Sequence, residues 1–246
     1  MTGLVDPGAT RRRRAPARSQ DDDGSLPPLG EFVKRLGTHV LLPVVVWLVV
    51  LIGVGLLLAH PLKQAVSGED GVNRWFLARR TPFWNDATNV MSHVANTGTI
   101  IITMITAAFI VWLVSRRLRE PAVLIIGVTC QALVFLFTTL AVSRARPDVP
   151  KLDQSPPTSS FPSGHTGAGT ALYIGLVILC VTLLRRRWLK VLAIIGFGVV
   201  PFLVATARLY RGMHHPTDVT FGLLNGAICA VIAYLAFRPR NSRTAA

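Results

Sequence analysis

Charged side chains are scarce in this chain. Only 15% of its 246 residues are Asp, Glu, Lys or Arg, against 51% hydrophobic, a balance too apolar for an ordinary water-soluble domain of this length. Six stretches carry no charged residue at all, at about residues 40–59, 98–115, 122–143, 166–184, 191–207 and 219–237. Each is about as long as a helix must be to cross roughly 30 Å of hydrocarbon. The chain is therefore expected to be all-α, a polytopic membrane protein with six transmembrane helices. The runs lack apolar/polar alternation and are about twice the length of a tilted barrel strand, which excludes an outer-membrane β-barrel. A soluble helical core is excluded because six such runs would leave almost no polar surface for water.

Other absences narrow the class further. There are three cysteines. Each (Cys130, Cys180, Cys229) lies within a run, without metal-ligand spacing or a disulfide partner, and reads as a small packing residue. No HExxH motif, Cys/His ligand set or acidic cluster marks the loops, so neither a metal nor another cofactor is expected. No internal repeat suggests an inverted-repeat transporter, and the runs are polar only at one end. The short basic segment and short apolar core of a cleaved signal are missing; the first run begins near residue 40 at full spanning length and is expected to be retained.

Acidic residues are outnumbered 12 to 26 by basic ones, for a net charge of +14. Nucleic acid attracts such proteins, but the distribution argues against it as a partner. The basic residues cluster at Arg11–Arg14, Arg18, Lys34 and Arg35; at Arg116, Arg117 and Arg119; at Arg185–Arg187 and Lys190; and at Arg238, Arg240 and Arg243. All four clusters fall on one side of a six-span layout. The positive-inside bias makes that side cytoplasmic, with both termini inside and the loops near 60–97, 144–165 and 208–218 outside. The tail over 1–30, with its aspartate run Asp21–Asp23, is expected to be disordered and cytoplasmic. Residues 31–240 form one six-helix domain, and 241–246 a second tail.

The first outer segment, 61–97, mixes Trp75, Phe76, Phe83 and Trp84 with Arg74, Arg79 and Arg80, which suits short helices anchored at the bilayer interface. Its flanking His60, His93 and Asn96 are given no catalytic role. Short basic turns at 116–119 and 185–190 make spans two and three, and four and five, antiparallel neighbours. Gly222 and Gly226, with Gly196 and Gly198, would allow close helix contact.

Chemistry concentrates in two outer loops. The first reads Ser143-Arg144-Ala145-Arg146-Pro147 and ends in Phe161-Pro162-Ser163-Gly164-His165-Thr166 as the fourth span begins. A helix starting at Ser163-Gly164 offers unpaired amides and a positive dipole end to a phosphate, with a hydroxyl from Ser163; taken alone it is also an ordinary helix start. The second runs from Ala207-Arg208 to His214-His215-Pro216-Thr217-Asp218. Asp218, four residues after His214, could hold one imidazole nitrogen and free the other as a nucleophile, or simply cap the sixth helix. Arg146 and Arg208 offer forked donors to phosphoryl oxygens. Together these groups imply phosphoryl transfer.

In order and spacing, Arg146-Pro147, Pro162-Ser163-Gly164-His165, and Arg208 with His214 and Asp218 resemble the signature of the type 2 phosphatidic acid phosphatase superfamily over residues 139–218. The resemblance implies a metal-free lipid phosphatase at the extracytoplasmic helix ends. In it, His214 attacks phosphorus to form a phosphohistidine, Asp218 orients it, and His165 protonates the leaving oxygen. Arg146, Arg208, Ser163 and the Gly164 amide bind the phosphoryl group. Two positions depart from the pattern: Thr139 stands where the family has lysine, and Ala207 where it has serine. Arg144 and Lys151 are candidates to supply the missing charge. The expected substrate is a lipid-linked phosphate in a bacterial plasma membrane, with undecaprenyl or decaprenyl diphosphate favoured over phosphatidic acid and phosphatidylglycerophosphate. The alternative of another class is a catalytically inactive membrane binding or transport protein.

Overall fold

A computed structural model describes residues 25–155 and 157–238. The tails expected over 1–30 and 241–246 lie, apart from residues 25–30, outside the described residues. In chain order the helices are α1 (Leu29–Ala59), α2 (Asp70–Leu77), α3 (Pro82–His93), α4 (Thr97–Ser115), α5 (Arg119–Ala141), α6 (Gly164–Leu183), α7 (Arg187–Tyr210) and α8 (Pro216–Phe237). Six of them, α1 and α4 to α8, are long and apolar enough to cross a membrane, with mean hydropathies of 1.9 to 3.0. The chain is all-α among the described residues, as the apolar runs predict.

Boundaries shift where local chemistry overrides the charge-free count. Helix α1 begins at Leu29 rather than near residue 40, because its charged first turns are themselves helical and carry an i,i+4 pair from Arg35 to Glu31 at 2.9 Å. Pro43 has no amide to donate and would break an α-helix interior. Here the turn before it, Leu36–Leu41, is widened to a π-helix, and Leu42 N bonds Gly37 O five residues back. Helix α7 reaches Tyr210 and is divided at Val199 into Arg187–Gly198 and Val200–Tyr210. Pro201 accounts for the break, because it cannot supply the hydrogen bond to residue 197.

Helices α5, α6 and α8 pack together at the centre of the bundle. Glycine controls the approach of α6 to α8: a Cβ on Gly226 would sit 2.4 Å from Gly167 O, and one on Gly222 2.7 Å from Ser163 O. Backbone meets backbone here, as small residues permit between membrane helices. Gly196 and Gly198 take no part, since nothing lies within 4 Å of a Cβ built on either. The spans are also less uniformly apolar than the runs suggest. Gln131 and Asn225 are buried within α5 and α8, where Asn225 accepts a hydrogen bond from Trp47 Nε1 at 3.0 Å and donates to Gln131 O. Outside this core, side chains such as Val49, Ile102, Leu140, Ile195 and Phe202 are exposed, which fits spans that face lipid hydrocarbon rather than water.

Candidate active site

The α6–α8 contact brings two helix N-termini side by side, and the loops that precede them carry the chemistry. His165 is the second residue of α6. His214 lies in the turn between α7 and α8, where Gly212 adopts a left-handed φ of +72°. A side chain there would be strained and would also meet Val149 at 2.7 Å. Pro216 at the first position of α8 needs no amide partner, and Asp218 turns back to accept the amide of His215, the N-cap, at 2.8 Å.

His165, His214, Arg146, Arg208 and Gly164 line one cavity of about 710 Å³. Helix α4 and the middle of α5 form its other wall with Ile100, Ile101, Val128, Ala132 and Phe135. One end is therefore cationic and the other largely apolar, with Thr97 and Gln131 as the polar residues of the α4–α5 wall. Arg208 Nη1 donates to Ser92 Oγ at 2.8 Å and to Asp153 Oδ2 at 2.7 Å, and Arg146 Nη1 donates to Met213 O at 2.8 Å. The Nε atoms of both arginines are buried without a partner, an arrangement that costs free energy unless an acceptor binds there. Burial pushes the Arg146 guanidinium pKa downward and Asp218 opposes it, but an arginine stays cationic in any case.

Each imidazole has one nitrogen fixed. His214 Nδ1 lies 2.8 Å from Ser160 O; a carbonyl only accepts, so Nδ1 carries the proton and Nε2 keeps its lone pair. The ring is 4% exposed, and burial, with Arg208 and Arg146 nearby and Asp218 opposing, pushes its pKa down to about 4. His214 is thus neutral at pH 7, as a nitrogen nucleophile must be. His165 Nε2 lies 2.7 Å from Asn96 Oδ1, which orients the second ring in the same way.

Several expectations are redirected. Asp218 Oδ2 stands 3.8 Å from His214 Nδ1, too far for a hydrogen bond. Its contact with His214 runs through Ser160, whose hydroxyl donates to Asp218 Oδ2 and whose carbonyl accepts from His214. The capping role and the orienting role coexist in one carboxylate. Ser163 Oγ is paired with Thr166 Oγ1 at 2.9 Å and buried, and the Ser163 amide donates to Asp218 O; this hydroxyl is used inside the helix start and does not line the cavity. Arg144 does not line it either, because its guanidinium is spent on Asp218, Thr217 and Glu69. Lys151 is exposed and also outside the cavity lining. Thr139 leaves its Oγ1 buried without a partner away from the cavity, and Ala207 is fully buried. Among the described residues the arginines that line the cavity are Arg146 and Arg208, and no lysine joins them.

A family model described as the PAP2 superfamily matches residues 121–242. The matched region, which holds both histidines and both arginines of the cavity, is a PAP2 superfamily domain. Two solved structures share the PAP2 fold with it. A transmembrane PAP2-type phosphatidylglycerolphosphate phosphatase from Bacillus subtilis aligns with TM-score 0.66 at 17% identity, over 82% of this chain and 98% of that one. Aquifex aeolicus LpxE aligns with TM-score 0.54 at 20% identity, over 67% and 93%. None of the curated proteins compared matches the chain.

Three further PAP2-site residues carry no signal in the linear sequence. Asn96 holds His165 across 69 residues, Ser160 holds His214 across 54, and Asp153 holds Arg208 across 55. Asp153 also accepts from Arg211 Nε at 2.8 Å. Burial alone would raise its carboxyl pKa, but the Arg211 hydrogen bond and the charges of Arg208 and Arg211 outweigh that, so it titrates below its usual range. The segment over 61–97 is more than an interfacial anchor. Asn73 of α2 donates to Leu209 O and His214 O, and Arg80 donates to Tyr210 O and Pro150 O. Helices α2 and α3 thereby buttress the His214 turn.

Proposed function

We propose that this protein hydrolyses a lipid-linked phosphate at the outer face of a bacterial plasma membrane, with polyprenyl diphosphate to monophosphate as its principal reaction. The observation that carries the reading is the single cavity whose cationic, imidazole-bearing end runs into an apolar wall on α4 and α5. An amphiphile fits such a space, with its phosphate between Arg146 and Arg208 and its tail along Ile100, Ile101 and Phe135.

In the first step His214 Nε2 attacks phosphorus, the bond from phosphorus to the leaving oxygen breaks, and a phosphohistidine forms. His165 gives the leaving oxygen its proton; a phosphate dianion beside this ring favours the imidazolium it must start from. In the second step His165, now neutral, takes a proton from water as that water attacks phosphorus. Inorganic phosphate leaves and His214 is restored. Arg146, Arg208 and the amides at Gly164 stabilise the charge on the transferring group throughout. These tasks are assigned to protein groups alone, and the assay below tests that with a chelator.

The test is phosphate release by the purified protein in detergent with EDTA present, comparing polyprenyl diphosphate, phosphatidylglycerophosphate and phosphatidic acid. Release is expected to persist in EDTA, to be fastest on the diphosphate, and to fall about 10³-fold or more in His214→Ala. Loss of activity in EDTA would refute the metal-free mechanism, and equal release by His214→Ala would remove the nucleophile. A second substrate reading, phosphatidylglycerophosphate, is favoured by the name of the Bacillus relative with which the chain shares its fold. The same assay ranks the two.

A further inference from the structure

We infer that Glu69 is a positioning residue for the nucleophile, acting through Arg144 and Thr217 on Asp218; the inference rests on His214 being that nucleophile. The Asp218 carboxylate is wholly buried and frames the His214 turn from two directions. Its Oδ2 accepts from Ser160, whose carbonyl takes the His214 Nδ1 proton, and from the amide of His215, the next residue in the chain. Any rotation of this carboxylate therefore displaces both the acceptor and the backbone of the nucleophile.

Arg144 is what fixes the carboxylate. Its Nη1 donates to Asp218 Oδ1 at 2.5 Å and to Thr217 Oγ1 at 2.6 Å. Held by Asp218 alone, the guanidinium would have one nitrogen anchored and could pivot about it. Glu69, carried on the outer segment just before α2, removes that freedom. It takes Arg144 Nη2 on Oε2 at 2.8 Å, and it binds Thr217 twice, the amide on Oε1 at 2.9 Å and the hydroxyl on Oε2 at 3.0 Å. Thr217 is adjacent to Asp218 in α8, so Glu69 grips both the cation and the backbone that carry the catalytic carboxylate. The three charged side chains are 13% (Glu69), 7% (Arg144) and 0% (Asp218) exposed. One cation thus stands between a fully buried carboxylate and a partly buried one, and the remaining acceptor capacity is met by the hydroxyls and amides of Ser160, Thr217 and His215. In so enclosed a network each bond is stronger than in water and the members move as a unit. A staple holding the outer segment to the bundle would need only the Glu69–Arg144 pair; the additional grip on Thr217 locates Asp218.

The test uses the purified full chain as wild type, Glu69→Gln and Thr217→Val. It measures lipid-phosphate turnover, inhibition by inorganic phosphate, melting temperature, and the rate at which diethyl pyrocarbonate modifies His214, read by mass spectrometry. Glu69→Gln is expected to lower kcat about 10- to 100-fold, the scale of a misplaced reacting group. KM and the inhibition constant for phosphate should stay within about threefold, while His214 is modified several-fold faster. Thr217→Val is expected to give a smaller loss in the same two quantities. A folded Glu69→Gln protein with kcat within about twofold of wild type and unchanged His214 modification would overturn the proposal and leave a staple only, as would a change confined to KM. Should Glu69→Gln fail to fold, Thr217→Val decides by the same two readouts. If the wild type releases phosphate from no lipid substrate, the proposed function fails, and the His214 modification rate still decides whether Glu69 positions the ring.

Discussion

Asp153 places a negative charge in a cavity whose other ionisable groups suit an anion. It accepts from Arg208 Nη1, so an incoming phosphate must share or displace it. Arg211 would survive its loss, since it also donates to Asn85 O, Thr88 Oγ1 and Leu152 O. Asp153→Asn is therefore expected to tighten product inhibition by inorganic phosphate about tenfold, the scale of one charge-assisted hydrogen bond. An inhibition constant that rises instead would show that Asp153 aims Arg208 and does not compete for it. A second consequence at this scale concerns pH. The His214 pKa lies below its ordinary 6.5, at about 4, so the neutral nucleophile persists until pH falls through about 4. The acid limb of kcat/KM that belongs to the enzyme is expected there, measured with mono- and diphosphate substrates to separate the substrate's own ionisation. A limb near 6.5 shared by both substrates would contradict it. The sign for stability is the opposite of a salt-bridged histidine: between pH 6.5 and 4 the unfolded chain binds the proton and the folded one does not, so folding loses up to about 1.4 kcal/mol per pH unit as pH falls through that window.

At the level of elements, the closeness of α6 and α8 carries the site, and two glycines test it. Gly226→Ala would force a methyl group against Gly167 O, where the gap is 2.4 Å. Backbone cannot step aside as a side-chain tip can, so a destabilisation of about 1–3 kcal/mol or more is expected, read as a lower melting temperature in detergent together with reduced turnover. Gly196→Ala is the control. Nothing lies within 4 Å of its Cβ, and the gain in helix propensity of up to about 1 kcal/mol should leave the melting temperature unchanged or raised. Equal effects of the two substitutions would mean that the α6–α8 approach is not set by glycine. The same contrast shows where the sequence is legible. Charge-free runs announce the spans because hydrocarbon tolerates nothing else. His165, His214, Arg146 and Arg208 are legible because ionisable groups at helix ends beside a membrane need a reason. The partners Asn96, Asp153, Ser160 and Glu69 are not. They reach their targets across 54 to 148 residues of chain, from loops with no periodicity, and only the assembled fold brings them together. The close contact expected at Gly196 is absent for the same reason: a small residue says that close approach is allowed, not which neighbour arrives.

Across the whole molecule, the two ends of the bundle differ. The loops that carry His165 and His214, with α2 and α3, gather at one end. At the other, Phe32 and Phe237 pack with ring centroids 5.2 Å apart, so the described beginning and end of the chain meet there. Arg117, Arg119 and Arg238 line a cavity at that same end. Helix α5 joins the two ends, and its 23 residues span about 34 Å at 1.5 Å per residue, the thickness of the hydrocarbon with little to spare. If the basic end faces the cytoplasm, the site opens outward and both ends of the chain lie inside. Single cysteines read this directly. Lys151, exposed beyond the C-terminal end of α5, and Leu118, 56% exposed just before its N-terminal end, are changed to Cys in a background where Cys180 is Ala; Cys130 and Cys229 are buried. Lys151→Cys is expected to react with a membrane-impermeant maleimide on intact cells, and Leu118→Cys only after permeabilisation. The reverse pattern would place the site in the cytoplasm and end the case for a substrate presented at the outer leaflet. Because Lys151 lies outside the cavity, the same variant should retain wild-type turnover; a large loss would mean that this lysine does supply the cation that Thr139 does not.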